Sequence, residues 1–262
     1  MIFRKPVFWI TASLLFIGGL FYSVQVFPKA FAILNVDLKM DREAAFSQSN
    51  TLAEKNNWGP NNYNQVASFS HNTRTQNFVE LDAGGVEKVS SLMQDGLYHF
   101  YTWTVRHYKE HEPNETMIFF TPAGNFYGFK ETLAEKEKGA ALTAGEARII
   151  AENFVQNETS IQLSEFESIE TSEEVMPSER IDHTFVYQRT KEQIGDGFFR
   201  LKLVVSGDKV TELKHFIKVP ETFSRRFEEM RSANNTLATS ASIAMFLLYG
   251  FGGIILGLFF MM

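Results

Sequence analysis

Two uncharged apolar stretches, one at each end of the chain, constrain this sequence more than any other feature. No charged side chain occurs in Pro6–Phe27 or in Ser232–Met262. At about 1.5 Å of rise per residue, either stretch as a helix would cross roughly 30 Å of hydrocarbon. The sequence therefore predicts two transmembrane helices, with the lipid bilayer as a partner and the polar middle of the chain between them.

The basic residues before the first apolar stretch predict its orientation. Arg4 and Lys5 precede it with no acidic residue nearby, so the positive-inside rule places the N-terminus in the cytoplasm. The middle of the chain is then extracytoplasmic, and the protein belongs to a bacterial inner membrane. A cleaved signal peptide is the alternative, since Ala30-Phe31-Ala32 fits a cleavage site. The apolar stretch exceeds the roughly 7–15 residues of a signal peptide core, which favours an uncleaved anchor.

Composition excludes several classes of function. The net charge is −6 with acids and bases interspersed, so the basic patch that nucleic-acid binding requires is missing. The chain has no cysteine, which excludes disulfides, thiolate metal sites and a cysteine nucleophile. The 26 phenylalanines predict a core dominated by aromatic packing.

The middle of the chain shows the same order of elements twice: a helix, then strands ending in a glycine-containing hairpin. Asp41 is a predicted N-cap, and Thr143 with Glu146 forms a predicted capping box. The predicted elements of the first half are a helix over Asp41–Trp58, a strand over Phe69–Leu81, a helix over Val86–Met93, a strand over Tyr98–Lys109 and a hairpin over Met117–Phe129. Those of the second half are a helix over Leu142–Gln156 and strands over Phe166–Val175, His183–Arg189, Phe198–Val205 and Val210–Val219.

This repetition predicts an α+β fold in which helices lie on antiparallel sheets. The outline resembles the PepSY and cystatin-like modules that are common outside bacterial cells. We expect two such modules, flanked by the two transmembrane helices. The predicted segments are transmembrane helix 1 (6–27), a first α+β module (37–135), a second α+β module (140–219), a stalk helix (220–235) and transmembrane helix 2 (236–262).

One cluster resembles a metal site, and its spacing argues against that function. His107 and His111 would share one face of a strand but lie about 13 Å apart, too far to bind one ion. Nucleophile, zinc-protease and phosphate-loop motifs are missing from the sequence. We therefore assign no catalytic, metal-binding or cofactor-binding residue and expect a binding or positioning domain.

The residues around the second apolar stretch allow two further interpretations. Arg225, Arg226 and Arg231 suit either anionic lipid headgroups or ion pairs on a solvated helix face. Gly253 and Gly257 form a GxxxG match in a glycine-rich segment, which predicts close packing against further transmembrane helices.

Four segments near the end of the polar region together resemble a known family: His183–Gln188, Arg200–Asp208, Thr211–Pro220 and Phe223–Asn235. The resemblance is to the long N-terminal extension of some bacterial CPBP (CAAX protease and bacteriocin-processing) intramembrane proteases. It implies a non-catalytic role, because that family's Glu-Glu-x-x-x-Arg motif does not occur: Ala233 follows Glu228-Glu229 where arginine is needed, and Ser178 follows Glu173-Glu174.

The function expected from these observations is that of an extracytoplasmic domain and first two membrane helices of a CPBP-type intramembrane endopeptidase. The soluble domain would bind or position a protein or peptide substrate. We also expect the native chain to continue past Met262 into further transmembrane helices that carry the catalytic motif. The alternatives are the sensor domain of a signalling receptor and a membrane-anchored envelope binding protein without catalysis.

Overall fold

The computed structural model describes residues 5–261, without the side chains of residues 28–30. Arg4 and Met262 lie outside the described residues, as do the side chains that flank the alternative cleavage site. The chain forms two compact units, one ending at Lys218 and the other beginning at Val219, and each is described by itself.

The first unit contains one antiparallel sheet of eight strands in the order β1-β2-β3-β4-β8-β7-β6-β5. Each half of the sheet is a meander of four consecutive strands, and the last strands of the two halves, β4 and β8, pair in the centre. The strands are β1 (Asn64–His71), β2 (Tyr101–Tyr108), β3 (Glu115–Phe120), β4 (Phe126–Thr132), β5 (Phe166–Val175), β6 (Ile181–Ile194), β7 (Gly197–Ser206) and β8 (Lys209–Lys218).

A helix precedes each meander, and the predicted α+β class agrees with the structure. In the first half two further helices lie between β1 and β2, so the order of elements differs between the halves. Each half has four strands, and the two halves share a single sheet. The likeness to PepSY or cystatin modules stays a prediction. The helices of this unit are α1 (Pro6–Ala30), α2 (Arg42–Asn56), α3 (Thr73–Asp82), α4 (Gly85–Gln94) and α5 (Ala144–Glu158).

Both predicted helix caps are confirmed. The Asp41 carboxylate accepts a hydrogen bond from the Ala44 amide at 2.8 Å, at the start of α2. At the start of α5, the Thr143 amide donates to Glu146 at 2.9 Å and the Glu146 amide donates to the Thr143 hydroxyl at 3.4 Å. These bonds satisfy amides that have no partner within the helix, so local sequence suffices to begin both helices.

The predicted strand over Phe69–Leu81 is wrong beyond His71. The Asn72 side chain accepts a hydrogen bond from the Thr75 amide at 3.2 Å and begins α3. Phe78 and Val79, which suggested a strand, are both buried on this helix. Apolar residues in a short segment fit a strand and a helix equally well. Here the segment is helical, and both side chains are buried in the tertiary structure. The predicted short helix after Gly84-Gly85 is confirmed as α4.

One continuous core joins the two halves. Trp58 follows α2 and stacks on Phe129 of β4, with ring centroids 3.9 Å apart. Phe129 also contacts Phe154 of α5 at 5.5 Å. Because these rings come from both halves, neither half closes its apolar face alone. The buried cluster around them includes Ala45, Val105, Ile118, Phe120, Ala147, Val155, Phe185, Leu201, Leu203 and Leu213.

The second unit is helical from Glu221 to Met261. It comprises α6 (Glu221–Phe246), a π-helical turn (Leu247–Phe251) and α7 (Gly252–Met261), so the predicted stalk helix continues into the predicted transmembrane segment. Within it, Arg225 pairs with Glu221 at 2.6 Å, and the Arg226 guanidinium lies 5.8 Å from the Phe223 ring. Helices Pro6–Phe27 and Glu221–Met261 are long and apolar enough to span a membrane.

The central strand pair depends on a glycine. A Cβ at Gly128 of β4 would lie 2.4 Å from the carbonyl oxygen of Leu213 on β8, a distance that real Cβ atoms do not reach. Gly128→Ala must therefore push β4 and β8 apart. We expect it to lower the free energy of unfolding of the full chain by about 1–3 kcal/mol, measured by denaturant titration.

Gly145→Ala is the matched control, because a Cβ at this position of α5 would meet no other atom within 4 Å. The control should leave stability unchanged or raise it by up to about 1 kcal/mol. Equal effects of the two substitutions would contradict the importance of close approach at Gly128.

Candidate binding cleft between the two halves of the sheet

A cleft of about 1030 Å³ opens in the first unit where the two halves meet. Its position follows from the central strand pair, which ends after Phe129 and Leu213. Residues of both halves therefore form its walls. Those of the first half are Gly96, Leu97, His99 and residues of the β3–β4 turn; those of the second half include Asn157–Gln162 after α5, Glu165, Phe166, Arg189, Phe199 and His215.

The floor of the cleft is a stack of two aromatic rings. Tyr127 and His215 follow Phe129 and Leu213 on the same face, and their rings lie parallel at 4.6 Å. Tyr127 is free to do this because the β3–β4 register shifts there, leaving it without a partner on β3. The His99 amide donates a hydrogen bond to the Tyr127 hydroxyl at 3.3 Å, which fixes the ring.

The floor is uncharged at neutral pH. Burial raises the pKa of Tyr127 well above its usual value, with a further contribution from Tyr98. Burial, aided by His99 and Arg189, lowers the pKa of His215 to about 4. Burial also lowers the pKa of His99. A neutral aromatic floor favours apolar or aromatic groups of a ligand over ions.

Of the two arginines in the cleft wall, Arg189 and Arg200, the first has its charge balanced by carboxylates. Four residues of β6, Arg189–Glu192, lie opposite the single residue Phe199 of β7, so the strand bulges at this point. Arg189 forms an ion pair with Glu165 and a second with Glu192 at 2.7 Å. Its guanidinium also lies 5.7 Å from the Phe166 ring. The bulge thus holds a polar, hydrogen-bonding wall that adds little net charge to the cleft.

This combination suits a polypeptide segment. Aromatic rings at the floor can receive an apolar side chain, while amide side chains such as Asn125 and Asn157 at the rim can bond a peptide backbone. The volume is at the upper end of, or above, the roughly 300–1,000 Å³ that is typical of small-molecule pockets.

The structure places the two histidines of the cluster that resembled a metal site in different surroundings. His107 is fully buried, stacks on Tyr63 at 4.0 Å, and its Nε2 lies 3.1 Å from the Ser49 hydroxyl. His111 lies beyond the end of β2, in the turn, with a φ of 65°. Residues 5–261 contain no cluster of three or more histidine, cysteine or acidic residues that could hold a metal ion.

Sequence reasoning missed the cleft residues. Tyr127 and His215 are far apart in the sequence, and only the β4–β8 pairing brings them together. The one local signal was the aromatic β3–β4 hairpin, which was correctly predicted but gave no sign of the register shift. Glu173-Glu174 and Glu228-Glu229, which were compared with the protease motif, lie on β5 and α6 and line no part of the cleft.

No protein-family model matches this chain, and neither a curated protein nor a solved structure is detectably similar to it. The resemblance to CPBP proteases stays a prediction from the sequence segments given above.

Protonation of His215 should destabilise the fold in acid. Its pKa is about 4 in the folded protein and about 6.5 when unfolded, so the unfolded chain binds the proton first as the pH falls. The stabilisation of the folded state by neutral His215 is complete above pH 6.5 and is lost as the pH falls from about 6.5 to 4. Thermal melts over this range should show that His215→Gln reduces the loss by about 1–2 kcal/mol.

The difference between wild type and His215→Gln isolates this residue, because His107, whose pKa burial also lowers to about 4, titrates in both proteins. Parallel stability curves for the two proteins would show that His215 is not held neutral by the fold.

Proposed function

We propose that this protein is the non-catalytic, extracytoplasmic part of a CPBP-type intramembrane protease, whose soluble domain binds a polypeptide and positions it at the membrane. The cleft carries the binding role, because its neutral aromatic floor and amide rim suit an extended segment with an apolar side chain. The protease assignment comes from the sequence resemblance. The catalytic residues would lie on further transmembrane helices.

The connection from the cleft to the second membrane-length helix supports a positioning role. Leu213 and His215 of β8 line the cleft, and only Val219 and Pro220 separate the end of β8 from the start of α6. The cleft strand and the membrane-length helix are therefore consecutive elements of one chain.

The basic N-terminus supports an inner-membrane location with the sheet outside. The cysteine-free sequence makes a clean topology test available, since any introduced cysteine is unique. Lys138→Cys, at an exposed position after β4, should react with a membrane-impermeant maleimide in intact cells. Ile2→Cys, which keeps Arg4 and Lys5, should react only after permeabilisation. The reverse pattern would refute the proposed orientation.

The cleft itself can be tested by photocrosslinking in cells. A photoreactive amino acid in place of Gln162, exposed at the cleft wall, should crosslink a polypeptide. Asn125→Trp, which fills the cleft, should remove that product, because the bound segment and the indole would compete for one space.

Asn61 provides two matched controls, because it is exposed and lies outside the cleft. Asn61→Trp should leave crosslinking from Gln162 unchanged, and a photoreactive residue at Asn61 should give no such product. Crosslinking that persists in Asn125→Trp would place the binding surface elsewhere.

A further inference from the structure

The two outer edges of the sheet differ in charge. The outer edge of β5 carries four glutamates, at positions 167, 170, 173 and 174, within ten residues. The outer edge of β1 has the sequence Asn-Gln-Val-Ala-Ser-Phe-Ser-His, without a lysine, arginine, carboxylate or proline. Charged residues and proline are the usual means by which proteins stop a sheet edge from pairing with another strand. By that criterion β5 is protected and β1 is open.

The edge of β1 also leaves apolar surface uncovered. Val66 is 50% exposed and Phe69 is 37% exposed, on opposite faces of the strand. Within residues 5–261, β2 is the only strand that pairs with β1, and no turn or loop forms a backbone hydrogen bond with it. The backbone amides and carbonyls on the outer side of β1 are therefore available to a partner strand.

We infer that β1 is a dimerisation edge, which pairs antiparallel with β1 of a second copy of this chain. The partner is a second copy because the β1 sequence is compatible with itself. Two copies of β5 would place glutamates against glutamates, whereas two copies of β1 bring no like charges together. The inference is independent of what the cleft binds.

Symmetry restricts the register of the pair. A twofold axis relates the two copies of an antiparallel pair. Because directly opposed side chains point to the same face of the sheet, this axis must lie between one residue and the same residue of the second copy. Centring on Ser68 or on Ala67 gives equally long overlaps. Centring on Ser68 opposes Val66 to Ser70 and Ala67 to Phe69. Centring on Ala67 opposes Val66 to Ser68 and Gln65 to Phe69. Both registers cover the two exposed apolar side chains.

The pair should be weak in dilute solution and stronger when both copies share a membrane. Two strands of eight residues bury less than the roughly 1,200–2,000 Å² of a standard interface. Confinement of both copies to one bilayer raises their effective concentration and offsets the small contact area. The test is therefore carried out on the full chain in its membrane.

Ser68→Cys introduces a single thiol at an exposed position near the axis of both registers. In membranes that contain two differently tagged copies, a short bismaleimide should give a dimer that carries both tags. Ser172→Cys, exposed on the acidic β5 edge, is the matched control and should give none. Absence of the Ser68→Cys dimer, or a product with a different protein in place of the second copy, would overturn the proposal.

A second pair of variants tests whether β1 itself forms the contact. Val66→Lys with Ser70→Lys, in the Ser68→Cys background, places like charges opposite each other in the Ser68-centred register and should reduce crosslinking by roughly tenfold. Ile169→Lys with Ser172→Lys puts the same number of lysines on exposed positions of β5 and should leave it unchanged. A dimer that withstands the β1 lysines is held by another surface, such as the membrane helices, and the proposal fails.

Discussion

The close approach of β4 and β8 is the contact on which the rest of the fold depends. Only two residue pairs, Phe129 with Leu213 and Lys130 with Glu212, form this ladder, yet it converts two meanders into one sheet. Gly128 permits it, because a side chain at this position would collide with the Leu213 carbonyl oxygen. The Trp58–Phe129–Phe154 contacts then seal the core above the junction, with rings drawn from both halves. An α+β half of this protein has no complete core of its own.

The cleft is a consequence of the same junction. Where the β4–β8 ladder stops, the strands no longer cover each other's backbone, and the Tyr127–His215 stack takes the place of the next pair. The register shift in β4 and the bulge in β6 both border this gap, and bulges commonly direct side chains toward functional sites. Burial keeps the floor uncharged, and hydrogen-bonding residues frame it.

Different parts of the chain were predictable to different degrees. Helix starts at Asp41 and Thr143 were evident, because capping needs only residues three positions apart. Strands with strict alternation, such as β2, were evident for the same reason. The segment after His71 was misread, because Phe78 and Val79 fit a strand or a helix until their burial is known. The cleft could not be predicted from the sequence, since Tyr127, Arg189 and His215 come together only through pairing between strands that are distant in the chain.

By itself the sequence determined the apolar ends, the α+β class and the helix caps, because each depends on composition or on contacts within one turn. The tertiary structure alone decided that the two halves share one sheet, that His107 is buried and stacks on Tyr63, and that a cleft opens between the halves. Those outcomes depend on which strands become neighbours and how closely their backbones approach. No local pattern encodes that choice, because it is set by the packing of residues that are remote in the chain.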